Sequence, residues 1–430
     1  MKSMLAKLRQ GYGRKLHKLH AWNGWIVVLL TITGLLLAVG FWRGVLGEGR
    51  VWIKWLHIAV GVASILPVLY YLALAGKHWR QLRAKPWQRF NVLFVLGLLL
   101  GWFVSGVLLW QHRAVGPAVA NVSLVVHDLL TWIGLPYIIY HSVTRMKWLK
   151  EEPHKRTIKL EPGEGADAAG RRSGKAEEEG LHPAARPNAV YTRQAFLKLS
   201  IGGVLALLVG PSFLRWLGSS FSGAVGIGDS GKLANIAAND MNRLVPAPTP
   251  LPASSPPIGG GNSGGYRIYT VTPIPKFTNE NWSFTLDGLV DKPVRYDWQT
   301  FVQLPRQVQV SDFHCVTGWS VYKNTWEGIK LQDMLAAAGV QAKATTVKFY
   351  SGDGVYTDAL SLEQAGMDDV MVAVMLDGLP IPSDLGGPVR LIVPKMYAYK
   401  SVKWLNRIEL IEGKHTGYWE ERGYPNDAWV

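Results

Sequence analysis

The sequence predicts a multidomain chain: an all-α bundle of four transmembrane helices, a fifth transmembrane helix, and then a mostly β (α+β) domain outside the membrane. Three observations carry that reading. Apolar runs long enough to cross about 30 Å of hydrocarbon crowd the first half of the 430 residues. The formal charge of +15 belongs entirely to residues 1–265, because Tyr266 to Val430 holds 16 Lys/Arg against 19 Asp/Glu. From Tyr266 onward, short alternating apolar stretches are cut by turn signals such as DG, GDG and LGGP. A basic excess lying beside apolar runs is a topology signal, so binding to nucleic acid is set aside.

The first four runs span approximately Ala21 to Phe41, Val51 to Ala75, Phe90 to Trp110 and Val119 to Tyr140. Lys2, Lys7, Arg9, Arg14, Lys15 and Lys18 precede the first, and Lys77, Arg80, Arg83, Lys85 and Arg89 separate the second from the third, with no acid in either segment. Both segments are expected in the cytoplasm, so residues 1–150 start and finish inside. Residues 151–193 mix charge, Gly and Pro without hydrophobic period and read as a disordered cytoplasmic loop. The fifth run, within 194–218, carries the chain outward. It is preceded by TRQAFLK, which resembles a twin-arginine export signal with Gln194 in place of the second arginine. Residues 219–265, including PAPTPLPASSPPIGGGNSGG, read as a flexible Gly/Ser/Pro linker. Residues 266–430 form the extracytoplasmic domain, with strands in WSFTLDGLV, TVKFYSG, VMVAVML, VRLIVP and NRIELIEG and a helix over Leu331 to Ala338. The expected location is the cytoplasmic (inner) membrane, multi-pass.

Histidines inside apolar helices are costly unless something pairs with them. His127 and His141 are 14 residues apart on the fourth run, about four turns or 21 Å, and so share one helix face. Two b-type haems stacked across a bilayer need that arrangement. By depth, His20 pairs with His141 at an inner iron and His57 with His127 at an outer one. His17 stands as a rival to His20. Gly24 and Gly61 each follow a candidate ligand by four residues and leave space on its face, and Gly97 and Gly101 can do the same or can simply pack helices. The region resembles the four-helix, b561-like di-haem cytochromes b, which exchange electrons with membrane quinones.

A single cysteine excludes an intramolecular disulfide framework and any CxxC or CxxCH site. Cys315 follows a β-prone stretch and precedes Gly318 and Trp319, a setting that suits a metal ligand or a nucleophile; no base can be assigned to it, so ligation is the stronger reading. Near the end, Gly386 and Gly387 permit close backbone approach, while Arg390, Lys395, Lys400 and Lys403 supply cations suited to a phosphate-bearing ligand. HCVTGWS, the following W-x-G-x-x-L-x-x-M-L and GGPVRLIVPKMYAYKSVKW together resemble the molybdopterin-binding domain of the sulfite oxidase superfamily, over about residues 266–412. That resemblance implies a sulfite-oxidase-like fold and a molybdenum held by a single pterin and by Cys315, the catalytic ligand. Pterin contacts would fall on Ser351, Arg390, Ser401, Val402 and Lys403, with Asp384 and Leu385 standing where bacterial relatives use an asparagine. Val316, Thr317, Gly318, Trp319 and Ser320 depart from the arginine-bearing run of sulfite-oxidising members, and the stretch is closer to the bacterial protein methionine sulfoxide reductase catalytic subunit, with His314 in place of an arginine. An imidazole there would make the pocket's charge depend on pH.

The halves together suggest a membrane-bound molybdenum oxidoreductase. Quinol electrons would pass through two b haems to an oxygen-atom-transfer centre outside the cytoplasm that reduces a small or protein-bound S-oxide or N-oxide, the domain docking near His57 and His127. The same path run backwards would oxidise sulfite or a similar substrate. A non-enzymatic redox conduit or sensor is the rival of a different class.

Overall fold

Inside a bilayer, a long apolar run satisfies its backbone groups only as a helix or in a closed barrel, and the apolar runs here are helical. The computed structural model describes residues 12–38, 42, 45–144, 193–225, 240, 242, 244–261 and 266–430. Among these, five helices are long and apolar enough to cross a membrane. They comprise α1 (Tyr12–Ala38), the pair α2 (Gly49–Ala63) and α3 (Ile65–Gln81), α4 (Pro86–Trp110), α5 (His112–Thr144) and α6 (Arg193–Val225). The chain is a membrane protein. Pro86 opens α4, where its missing N–H has no intrahelical partner to lose. Ser64 joins α2 to α3, its hydroxyl donating to Gly61 O at 2.6 Å. Of the expected loop over 151–193, residues 151–192 lie outside the described residues, and Arg193 opens α6.

The chain divides into two compact units, Met1–Thr131 with Arg215–Val430, and Trp132–Leu214. In the second, Trp132 meets Phe213 with ring centres 6.1 Å apart.

The β domain in the first unit has two five-stranded sheets. One runs in the order β2-β1-β10-β5-β6, with β1 (Phe284–Gly288), β2 (Val294–Tyr296), β5 (Thr346–Ser351), β6 (Thr357–Ser361) and β10 (Leu405–Ile411). The other runs β3-β4-β7-β8, with β3 (Gln307–His314), β4 (Ser320–Lys330), β7 (Met371–Leu376) and β8 (Leu379–Pro380), and β9 (Arg390–Ile392) also pairs with β7. Strand β7 is apolar throughout because both its faces are covered. Val372 and Val374 join the larger core with Phe284, Phe349 and Ile408, while Met371 and Ala373 join a smaller one with Phe313, Trp319 and Trp326. The smaller core supports the site described below.

The linker expected over 219–265 is in part something else. Residues 244–261 are strapped onto the β domain. Trp298 Nε1 donates to Pro246 O (2.8 Å) and Arg306 Nη2 to Thr249 O (2.9 Å). Leu251 N–H donates to the buried carboxylate of Glu327 (2.9 Å), and Gly259 N–H to Thr325 Oγ1 (2.8 Å). Prolines suit such a strap, since they bring no N–H to satisfy.

Candidate active site

Cys315 begins the turn between β3 and β4, whose pairing runs up to His314 and Ser320. Cys315 N–H donates to Trp319 O at 2.9 Å, and Gly318 N–H to Cys315 O at 3.0 Å. Gly318 takes φ +91°, and a Cβ there would meet Leu109 Cδ2 at 2.7 Å, so only glycine fits. The turn lies on the membrane helices: Ala120 O and Leu124 Cβ are the next atoms that such a Cβ would approach, at 3.5 and 3.8 Å. Cys315 Sγ is 3.2 Å from Thr317 Oγ1. Burial pushes the thiol's pKa up, while the Thr317 hydrogen bonds and the charges of Arg267 and Arg50 oppose the rise. Such a sulfur becomes a thiolate when a soft metal takes the proton's place.

His314 is not beside that sulfur. Strand alternation sends Phe313 and Cys315 into the smaller core. The His314 ring turns to the other face, with Nδ1 2.9 Å from Ser320 Oγ and its ring against Tyr322. Burial lowers its pKa, against the pull of Asp312. The expected pH-dependent charge at the metal therefore has no support in its placement.

Of the four cations expected around a phosphate, two are spent elsewhere. Lys400 is buried between Asp358 (2.8 Å) and Glu420 and also donates to Asn426 Oδ1 (3.1 Å). Lys395 is exposed and pairs with Asp369 at 3.4 Å. Arg390 and Lys403 are different. Arg390 is 2% exposed, lies over the rings of Phe313 (4.9 Å) and Trp326 (5.7 Å), donates to the carbonyls of Leu385 and Ser401, and has no partner for Nε among the described residues. Burial lowers its pKa to about 10. Lys403 donates to Tyr269 O (2.9 Å) and Asp384 O (3.3 Å). Burial, then the charge of Arg390, lowers its pKa to about 7, with Asp384 and Cys315 pulling the other way. Gly386, at φ +97°, makes room for Lys403: a Cβ there would stand 2.6 Å from its Cγ.

Ser401 and Val402 complete this group, Ser401 Oγ accepting from Val393 N–H (3.0 Å) and Val402 O from Leu391 N–H (2.8 Å). Ser351 stands opposite Leu405 in the β5–β10 pairing, and its Oγ accepts from Asp353 N–H at 3.3 Å. Neither Arg390 nor Lys403 has a carboxylate ion pair among the described residues. Buried Arg390, with its orphaned N–H, and half-buried Lys403 are cations without a carboxylate partner, which an anion would complete. The residues fit a phosphate-bearing pterin beside a thiol ligand.

The outer histidine pair is brought together. The rings of His57 and His127 have centroids 6.4 Å apart and cross at 72°. An iron held between two imidazoles by bonds of about 2 Å separates ring centres by roughly 6 Å, so the pair fits two axial ligands of one haem. The tautomers agree. Thr33 Oγ1 donates to Leu29 O (2.8 Å), which leaves it to accept from His57 Nδ1–H (2.8 Å). Ser105 Oγ likewise donates to Gly101 O (2.7 Å) and accepts from His127 Nδ1–H (2.9 Å). Both Nε2 lone pairs then remain for a metal. A Cβ on Gly34 would meet His57 Cε1 at 3.3 Å, and one on Gly106 would meet His127 Cε1 at 3.7 Å, so these glycines back the rings. A Cβ on Gly24 or Gly97 would meet nothing within 4 Å, one on Gly61 would reach Leu30 Cδ2 at 4.0 Å, and Gly101 packs on Leu130. His20 and His141 fall in different units; His20 is exposed on α1, as is His17, and His141 stacks on Tyr137 at 6.0 Å.

Thr33, Ser105, Arg50 and Asp128 escaped the sequence reading. Asp128 pairs with Arg267 of the β domain at 3.4 Å, and its signal was a carboxylate within an apolar run. The hydroxyls gave none, because each serves a histidine on another helix.

A family model described as the oxidoreductase molybdopterin binding domain matches residues 271–419. The chain is 31% identical over 193 residues to the uncharacterized oxidoreductase YuiH of Bacillus subtilis (strain 168), covering 44% of this chain and 92% of that protein. It is 29% identical over 167 residues to the protein-methionine-sulfoxide reductase catalytic subunit MsrP of Gluconobacter oxydans (strain 621H), covering 35% of this chain and 51% of MsrP, so the chain spans about half the length of that relative. Among solved structures, the sulfane dehydrogenase SoxCD from Paracoccus pantotrophus matches at 21% identity over 33% of this chain and 40% of that chain, with a TM-score of 0.31.

Proposed function

We propose, from the premise that this chain belongs to the molybdopterin-binding oxidoreductase family, that it is a membrane molybdenum oxidoreductase drawing electrons from quinol to reduce an S-oxide or N-oxide outside the cytoplasm. Cys315 is the protein ligand to molybdenum. Arg390 and Lys403, with Ser351, Ser401 and Val402, hold the single anionic pterin. His57 and His127 hold the outer haem iron, and His20 and His141 the inner one. When bound, the molybdenum–pterin group supplies oxygen-atom transfer and the b haems supply one-electron relay. The name of the relative MsrP puts S-oxides first among substrate classes. The lysine and arginine residues flanking the helix ends support a cytoplasmic N-terminus and a β domain outside.

The observation that carries this reading is adjacency. The Cys315 turn packs through Gly318 against Leu124, and His127 stands three residues further along the same helix, about 4.5 Å of axial rise. This contact supports electron delivery to the β domain from the chain's own helices.

The test is a substrate screen on the intact protein after anaerobic reduction. S-oxides and N-oxides should reoxidise the haem bands, oxyanions should not, and sulfite added to the oxidised form should leave the bands unchanged. Haem reduction by sulfite would reverse the direction assigned here.

A further inference from the structure

The turn that carries Cys315 has no cation of its own: Val316 to Ser320 read VTGWS. The charges that act on the sulfur come from outside it, among them Lys403, Arg267 and Arg50, the second residue of α2. Arg50 belongs to the membrane part, yet its side chain is built into the β domain. Its guanidinium lies over the ring of Tyr269 at 5.2 Å and the ring of Trp419 at 5.6 Å. Tyr269 is stacked on Trp319 at 6.4 Å with planes 8° apart, and its carbonyl accepts from Lys403. Trp319 in turn supplies the carbonyl that fixes Cys315 N–H. Arg50 thus borders the same aromatic wall as the sulfur.

Arg50 is not consumed there. Its Nη1 is buried with no partner among the described residues. The neighbouring acid, Glu48, is engaged by Arg422 and by Tyr418 OH at 3.2 Å. Close by, Lys54 donates to Tyr424 OH at 3.1 Å and lies 4.2 Å from that ring's centre. A guanidinium held by aromatic faces and keeping a free buried N–H is a site for an oxygen that carries partial negative charge.

We propose that Arg50 binds the substrate oxygen at the Cys315 site, so that a residue of the membrane part completes the active site of the β domain. Resting on the functional reading above, this names the substrate class as a neutral, polarised oxide, such as a sulfoxide, whose oxygen meets the guanidinium and whose apolar groups lie on Tyr269, Trp319 and Trp419.

The experiment uses the full chain in detergent, as wild type, Arg50→Gln and Arg50→Lys, with dimethyl sulfoxide as probe. Binding to the oxidised protein is followed without turnover by tryptophan fluorescence, and KM and kcat are measured separately. Arg50→Gln should raise both Kd and KM at least tenfold with a smaller change in kcat, from the loss of a charge-assisted hydrogen bond. Arg50→Lys, which keeps the charge without the fork, should fall between Gln and wild type. Wild-type Kd and KM in Arg50→Gln would overturn the proposal. So would equal losses in Gln and Lys that track a common fall in melting temperature, which would make Arg50 a structural clamp. A wild-type protein that binds dimethyl sulfoxide through Arg50 but carries no molybdenum would leave this inference standing and remove the functional reading instead.

Discussion

The helical part and the β domain each bury polar groups that the protein does not fully satisfy, and they do so with opposite sign. Between the helices, Thr33 and Ser105 take up the Nδ1–H of His57 and His127, so what remains is a pair of neutral Nε2 lone pairs. In the β domain, Arg390 Nε and the Lys403 ammonium remain, and these are donors carrying charge. Two such lone pairs on rings whose centroids are 6.4 Å apart suit a cation. Buried cations with no carboxylate call for an anion. A group left over by the fold therefore specifies the chemistry of what fills the place.

The largest expected break in this comparison is at the sulfur. Cys315→Ser should reduce molybdenum-dependent turnover to background while leaving the haem spectrum unchanged, as read by activity and optical spectra on the same preparation. Next, His57→Ala and His141→Ala should each remove one haem, and not the same one; loss of a single shared spectral species would undo the pairing by depth. Smaller effects test the supporting hydroxyls. Thr33→Val and Ser105→Ala leave the ligands but free their tautomers, and should weaken haem retention about 10–100-fold, measured by haem transfer to an acceptor protein.

The smallest effect concerns pH. In protein prepared without the pterin, Lys403 is charged in both folded and unfolded chains below its folded value of about 7, so its burial cost is fully present there. Above its ordinary value of 10.5 it is neutral in both and the cost is gone. Between the two the unfolded chain binds more protons, so stability rises with pH across that window. The gain should appear as a melting temperature that rises steadily with pH across that window. Lys403→Met should flatten it.

Sequence alone reveals the membrane runs because lipid demands length and apolarity together. It also gives the helix at Leu331–Ala338 and the strands around Phe284, Phe349, Val372, Leu391 and Ile408, since turn residues and alternation mark them locally. What it hides depends on partners far along the chain. Residues 244–261 look like a tether until Glu327, Thr325, Trp298 and Arg306 are brought beneath them. Lys400 looks like a phosphate ligand until Asp358 and Glu420 enclose it. His314 looks like a neighbour of the metal until strand alternation turns it toward Ser320. Arg50 looks like one of several charges flanking a membrane helix, and only the fold lays it over Tyr269 and Trp419.

The most direct test of a relay contained in one chain is to count its redox groups. Full-length protein purified from cells able to make the pterin should contain one molybdenum and two haems b per chain, by elemental analysis and pyridine haemochrome on the same sample. A chain with neither molybdenum nor haem, or with molybdenum and no haem, would contradict the account.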